Sequence, residues 1–357
     1  MKNSNPEHAK LRRSFLKGSL ATGAAIAGAT VLGERKAFAR SSESLTKGDV
    51  AILKLLAAVE LIEADLWQQY AELGGVTQGT QNPYQLALQT LDSNGSQYLS
   101  SNTLDELSHA DFLNAYLISK GEEPIDLDQF RTLPSSTADG AEQIGRLTNL
   151  TKLTVDTSWY TRYRSAKNPD MGATFPQAID LVNVTAIPRT NADLSPARHI
   201  QAIANTAAFH FAMIEQGGST LYSAMAQKAS NVEVLRIVVS IGGDEVAHFL
   251  EWVDFAGNGV QPPIAPFTDP TNGLKFPNFN ASGNPLLQTN LIFPVPCQFI
   301  NADLPRCAVI RPTNPKGIAM GVVNFLTGTG LFIGQSKAFF NELTALAKAA
   351  DSAQRGF

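Results

Sequence analysis

Apolar positions in the middle of the chain recur every three to four residues, the period of a helix buried along one stripe. In the first such run Ile52, Leu55, Leu56, Val59, Leu66 and Tyr70 share a stripe that also carries Glu63. The pattern predicts a helix over 46–73, ended by Gly74-Gly75. A second helix is expected over 96–120, stopped by Gly121, after a connector with Asn82-Pro83 and a short apolar piece near Leu86. A third opens with Ser195 as N-cap and Pro196 at the first helical position, and runs to about Lys228. Ser230-Asn231 turns the chain into a fourth helix over 232–256, ended by Gly257.

The text between and after these helices is less regular. Residues 137–164 carry Ile144, Leu147, Leu150, Leu153 and Trp159 at helical spacing, which predicts an amphipathic helix. Its end, Trp159-Tyr160-Thr161-Arg162-Tyr163-Arg164, reads either as a contact for an anionic partner or as packing with snorkelling stems. Residues 262–315 are rich in Pro and Asn and predict an irregular wrapping segment. Residues 318–350 return to helical text, with a break expected near Thr327-Gly328. The expected class is all-α: four long helices, an insertion at 121–194 and an extension at 257–357.

The polar residues on the four stripes are not random. Asp-Glu-x-x-His occurs twice, as Asp105-Glu106-Leu107-Ser108-His109 and Asp244-Glu245-Val246-Ala247-His248, in a chain with only five histidines. Positions i and i+3 share a helix face, so each copy aims a carboxylate and an imidazole the same way. Each preceding helix carries a Glu with a Tyr seven residues on: Glu63 with Tyr70, and Glu215 with Tyr222. Glu60 lies one turn before Glu63 and competes with it. The shared Tyr-at-seven spacing selects Glu63. Counted from the turn at 230, Glu215 and Glu245 are equidistant, and Glu63 and Glu106 are each ten residues from their own turn, so both pairs are expected level. The same count sets Gly217-Gly218 beside Gly242-Gly243. Glycine inside a helix costs up to about 1 kcal/mol. Close helix approach, space for a small ligand, or a local bulge each explains these four. His210 and His199 read as structural histidines.

One Glu from each of two helices, with Glu-x-x-His from each of two others, is the ligand set of a carboxylate-bridged two-metal site. On these residues the chain resembles the ferritin-like superfamily of ferritin, bacterioferritin, rubrerythrin and manganese catalase. The resemblance implies a four-helix bundle over 46–256, broken by the long insertion between helices two and three. It implies Glu63, Glu106, His109, Glu215, Glu245 and His248 as metal ligands, with Tyr70 and Tyr222 beside them. It covers less than half of the chain. Carboxylate with imidazole suits two iron ions, with manganese as the alternative. The reaction implied is reduction of O₂ or H₂O₂. A dimanganese catalase and a non-catalytic metal-binding, stress-associated structural protein are the competing readings.

The N-terminus predicts a targeting segment over 1–39. Arg12-Arg13-Ser14-Phe15-Leu16-Lys17 precedes a Gly/Ala-rich apolar stretch, and Ala37-Phe38-Ala39 offers a cleavage site. The order resembles a bacterial twin-arginine signal, with Leu11 where Ser or Thr is usual. It implies passage through the twin-arginine machinery to a periplasmic or secreted location. The apolar stretch falls short of the ~20 residues needed to span a bilayer. A net charge of −4 leaves no footprint for nucleic acid. Cys297 and Cys307 read either as a disulfide closing a short loop in an oxidising compartment or as free thiols. Oligomerisation stays open.

Overall fold

A computed structural model describes residues 44–162, 175–284 and 315–356, together with 287, 296, 297, 303, 305, 307 and 308. The candidate signal segment, Tyr163 and Arg164 lie outside the described residues. The chain divides into two units. The smaller comprises 1–42 with Thr77–Thr80, of which only the last four, an irregular loop, are described. The larger comprises 43–76 and 81–357.

That unit is mostly helical. Its long helices are α1 (Lys47–Gly74), α3 (Gly95–Ser119), α5 (Ala197–Ala226) and α6 (Val232–Asn258). Shorter ones are α2 (Pro83–Leu91), α4 (Trp159–Arg162), α7 (Ile318–Gly328) and α8 (Lys337–Asp351). Among the described residues no helix is long and apolar enough to cross a membrane.

The starts of α1 and α6 follow from side-chain caps. Thr46 and Asp49 close a capping box on α1, and Asn231 accepts the amides of Glu233 and Val234 at α6. Asp49 also accepts from the backbone N–H of Ser230 and Asn231, which ties the start of α1 to the α5–α6 turn. The expected Ser195 cap on α5 is not made. Pro196 is the N-cap, and no side chain caps that end.

The helices pair as α1 with α3 and α5 with α6. The five-residue turn 227–231 makes α5 and α6 antiparallel. In the other pair Trp67 lies by Thr103 and Lys54 by Glu122, which is also antiparallel. One continuous core runs through both pairs, including Leu56, Trp67, Phe211 and Trp252. Each Leu or Ile buried there contributes about 1.5–3 kcal/mol. Extra helix α2 sits between α1 and α3, so they do not meet through a simple hairpin.

The insertion does not form the amphipathic helix its spacing predicts. Among the described residues of this stretch, 137–162, only α4 is helical. The rest is an irregular strap with strand β1 (Leu153–Val155), which pairs antiparallel with β2 (Leu181–Val184). Leu147, Leu150 and Leu153 are buried as expected, but on an extended backbone. The Asp65 carboxylate accepts the Leu147 and Thr148 amides and the Thr148 hydroxyl, at 2.7–3.0 Å, and so replaces helical hydrogen bonds. At Gly145 a Cβ would collide with the Arg131 carbonyl, so the strap can lie close there only without a side chain. Trp159, Tyr160 and Arg162 are packed inside, with Arg162 bonded to Gln216 at 2.8 Å.

The extension is irregular where described. It holds β3 (Phe267–Thr268) paired with β4 (Lys275–Phe276), and β5 (Pro296–Cys297) paired with β6 (Cys307–Ala308), with Cys297 and Cys307 as backbone partners. Helices α7 and α8 follow, broken after Gly328 at a turn where Gly330 and Gly334 take positive φ of 84° and 94°. Helix α8 packs on α1.

Candidate metal centre

Buried carboxylates and imidazoles from all four long helices converge between the two pairs. They form two overlapping groups whose donor atoms lie within 4.8 Å of one another. One is Glu60, Glu106, His109 and Glu245. The other is Glu215, Glu245, His248 and Glu106. Glu106 and Glu245 belong to both. Each group adds a carboxylate from α1 or α5 and a histidine from α3 or α6. The exchange of Glu60, Glu106, His109 with Glu215, Glu245, His248 is a local two-fold relation.

Five of the six sequence-predicted ligands thus come together. Glu63 is the exception. It is buried next to the groups, but Glu60 supplies the α1 donor. The level expected for Glu215 and Glu245 is off by about one turn. Gly218, not Glu215, stands opposite Glu245: a Cβ there would collide with Glu245 Oε2.

Both rings point Nδ1 inward. His109 Nδ1 lies 3.3 Å from Glu106, 3.4 Å from Glu60 and 3.8 Å from Glu245. His248 Nδ1 lies 3.2 Å from Glu106 and 3.4 Å from Glu215. Both rings point Nε2 outward and lie nearest the aspartate of the other motif, His109 by Asp244 at 3.2 Å and His248 by Asp105 at 3.4 Å, with Asp244 also 3.8 Å from His248 Nε2. Those aspartates are partly exposed, so the leading residue of Asp-Glu-x-x-His orients its partner's imidazole from the solvent side.

Asn102 and Trp252 also shape the site, though neither belongs to the repeated motifs. Asn102 Nδ2 donates to Glu106 at 2.8 Å and Glu215 at 3.1 Å, while its Oδ1 accepts the Trp252 Nε1–H. Their signal is position: Asn102 is four residues before Glu106 and Trp252 four after His248, on the ligand face. Tyr222 donates to Glu60. Tyr70 bonds His210 at 2.8 Å. His199 is a structural clasp between Asp269 and Asp193.

The glycines have separate roles. Gly218 leaves room for the Glu245 carboxylate, and Gly242 leaves room for Tyr222, whose Cβ a methyl would meet at 2.8 Å. Gly217 and Gly243 face open space.

The electrostatics are those of a buried, crowded acidic cluster. Burial, then Glu215 and Glu60, pushes Glu106 up to about 8. Glu245 and Glu63 are raised well above the carboxylate range, first by burial and then by neighbouring carboxylates, Glu106 foremost. Burial opposes charge on His109, but hydrogen bonds to Glu106 and Glu60 outweigh it and push the ring up to about 10. His248 is raised too: Glu215 and its hydrogen bonds outweigh burial. Without a cation the cluster therefore gathers protons. Among the described residues, both Glu245 oxygens are buried with no hydrogen-bond partner. An orphaned buried acceptor costs about 1–3 kcal/mol, more if charged. Two divalent cations would satisfy these oxygens and displace the protons, so the residues fit a two-metal group.

No protein-family model, curated protein or solved structure matches the chain. The functional reading therefore rests on the geometry of this centre.

Proposed function

We propose that the chain is a ferritin-like four-helix-bundle protein that binds two transition-metal ions and reduces O₂ or H₂O₂. The carrying observation is that Glu106 and Glu245 belong to both donor groups, each completed by its own Glu and His. In this reading Glu106 and Glu245 would serve both ions, Glu60 with His109 would hold one, and Glu215 with His248 would hold the other. Bound iron would supply one electron per ion; manganese suits the same donors. Glu60, Glu106, Glu215 and Glu245 are all 0 % exposed, so bulk water is kept from the reacting ions. Asp105 and Asp244 keep the Nε2 proton in place, which leaves each Nδ1 lone pair for the metal. Tyr222 holds a proton at Glu60, a donor at hand when oxygen is reduced. Export by the twin-arginine route remains part of the proposal.

Metal analysis of the full chain, followed by stopped-flow Fe(II) oxidation, tests it. About two ions per chain are expected, with Fe(II) oxidised faster than free Fe(II) in the same buffer. Full metal content without that acceleration would leave a structural metal site instead.

A further inference from the structure

A file of oxidisable rings leads away from the donor groups. Trp252 donates to Asn102, which itself donates to Glu106 and Glu215. Trp252 stacks on Trp67, with centroids 5.4 Å apart and planes at 21°. Trp67 meets Tyr70 at 5.8 Å. Tyr70 ends the file, its hydroxyl 2.8 Å from His210 Nδ1. Trp252, Trp67, Tyr70 and His210 are all 0 % exposed. Rings this close exchange an electron by short tunnelling steps.

Packing alone does not call for the last pair. A Phe at 70 and a Leu at 210 would fill the space without polar atoms. Instead a histidine is buried whose Nε2 has no hydrogen-bond partner among the described residues, a costly choice. The phenol is the better acid of the two and donates to Nδ1, a tautomer that follows from this pairing. Burial lowers His210 to about 3, so the ring is neutral and its Nδ1 lone pair is open to a proton.

We propose that Trp252, Trp67 and Tyr70, with His210 as proton acceptor, form a one-electron relay that draws an oxidising equivalent from the carboxylate–histidine centre and holds it as a tyrosyl radical. The relay rests on the oxidative reading of that centre. Hydrogen peroxide takes up two electrons as its O–O bond breaks, giving two hydroxide ions. A ferrous ion supplies one electron and becomes ferric. Tyr70 supplies the other: its O–H bond breaks, the proton passes to His210 Nδ1, and the electron leaves through Trp67 and Trp252. An oxidised phenol is far more acidic than a phenol, so even a weakly basic imidazole takes its proton. Tyr222 touches a donor group directly, but its acceptor is Glu60, and a carboxylate that held a cation would be a weaker base. His210 lies outside the donor groups, so no cation would compete for its lone pair.

The test is rapid-freeze EPR on the full chain, loaded with one Fe(II) per chain and mixed with H₂O₂, with iron oxidation followed by absorbance. The expected signal is an organic radical whose hyperfine pattern collapses with β-deuterated tyrosine. It should show nitrogen coupling that changes with ¹⁵N-histidine, a readout that needs no variant. Tyr70→Phe should abolish it and Trp67→Phe should cut its yield at least fivefold. Rapid iron oxidation without a tyrosine-derived radical overturns the relay and leaves the centre's reading intact. So does a radical that survives Tyr70→Phe and vanishes in Tyr222→Phe. If iron is oxidised no faster than free Fe(II), the oxidative reading fails and the relay falls with it.

Discussion

Gly218 of α5 stands where any side chain would overlap the Glu245 carboxylate of α6. The helix gives up propensity there so that a buried carboxylate can lie across its backbone. Gly217, its neighbour, faces open space and gains nothing comparable.

The first prediction contrasts the two. Gly218→Ala should displace Glu245, lower metal content and destabilise the fold by about 1–3 kcal/mol, the usual cost of overpacking. Gly217→Ala should keep full metal content and stabilise by up to about 1 kcal/mol through helix propensity. Urea midpoints and metal analysis of both variants decide it. Equal behaviour would show that Glu245 does not need the gap.

The second prediction separates Glu60 from Glu63. Both are buried on the inner face of α1, three residues apart. Only Glu60 joins a donor group, and Tyr222 donates to it. Glu60→Gln should lose about one of the two ions, while Glu63→Gln should keep both. The reverse result would restore the role that the Tyr-at-seven spacing gave to Glu63.

This pair shows where the sequence stops being legible. The long helices follow from apolar period and turn residues, and their observed ends fall within a few residues of expectation. The two Asp-Glu-x-x-His copies converge because i and i+3 fix a shared face whatever the tertiary detail. Glu60 and Glu63 have that same relation to each other, so helical geometry cannot rank them. The ranking depends on how α1 is set against α3 across α2, a long-range matter. The strap at 137–158 failed for a related reason. Leucines three apart suit a helix, but Asp65, some eighty residues away, accepts the backbone N–H groups that a helix would have used.

The third prediction concerns pH. In the metal-free protein Glu106 is held up at about 8 by burial, then by Glu215 and Glu60, and His109 is held up at about 10 by its carboxylates against burial. Both values exceed those of an unfolded chain, so the folded state binds the extra protons. Their contribution is fully present below the unfolded values and is lost as pH rises through the folded ones. Stability of the metal-free protein should therefore fall between about pH 6 and about pH 9. Metal replaces those protons, so loaded protein should show a flatter profile. Urea titrations across this range, with and without metal, are the measurement. A rise in metal-free stability over the window would contradict the cluster's electrostatics.

The fourth prediction is on export. Replacing Arg12 and Arg13 by Lys should trap the precursor in the cytoplasm, as the resemblance to a twin-arginine signal implies. Fractionation of cells expressing both forms reads this directly. Unchanged periplasmic yield removes the route.

The fifth prediction tests the crossed aspartates. Asp244 faces His109 and Asp105 faces His248, each across the interface between the helix pairs. A carboxylate on the outer nitrogen fixes the tautomer and makes the inner nitrogen a better donor. Asp244→Asn keeps the size and one acceptor but removes the charge, so folding should be little changed. Metal affinity should fall about 10–100-fold, the usual effect of losing such a partner. Because the contact is crossed, the loss should fall on the ion held by His109, although Asp244 sits on the same helix as His248. Chelator competition on Asp244→Asn and Asp105→Asn, each combined with His109→Ala or His248→Ala, resolves which ion each aspartate serves. Asp244→Asn should add little to His109→Ala and much to His248→Ala. The opposite pattern would mean that each aspartate acts within its own motif, and the crossed pairing would be wrong.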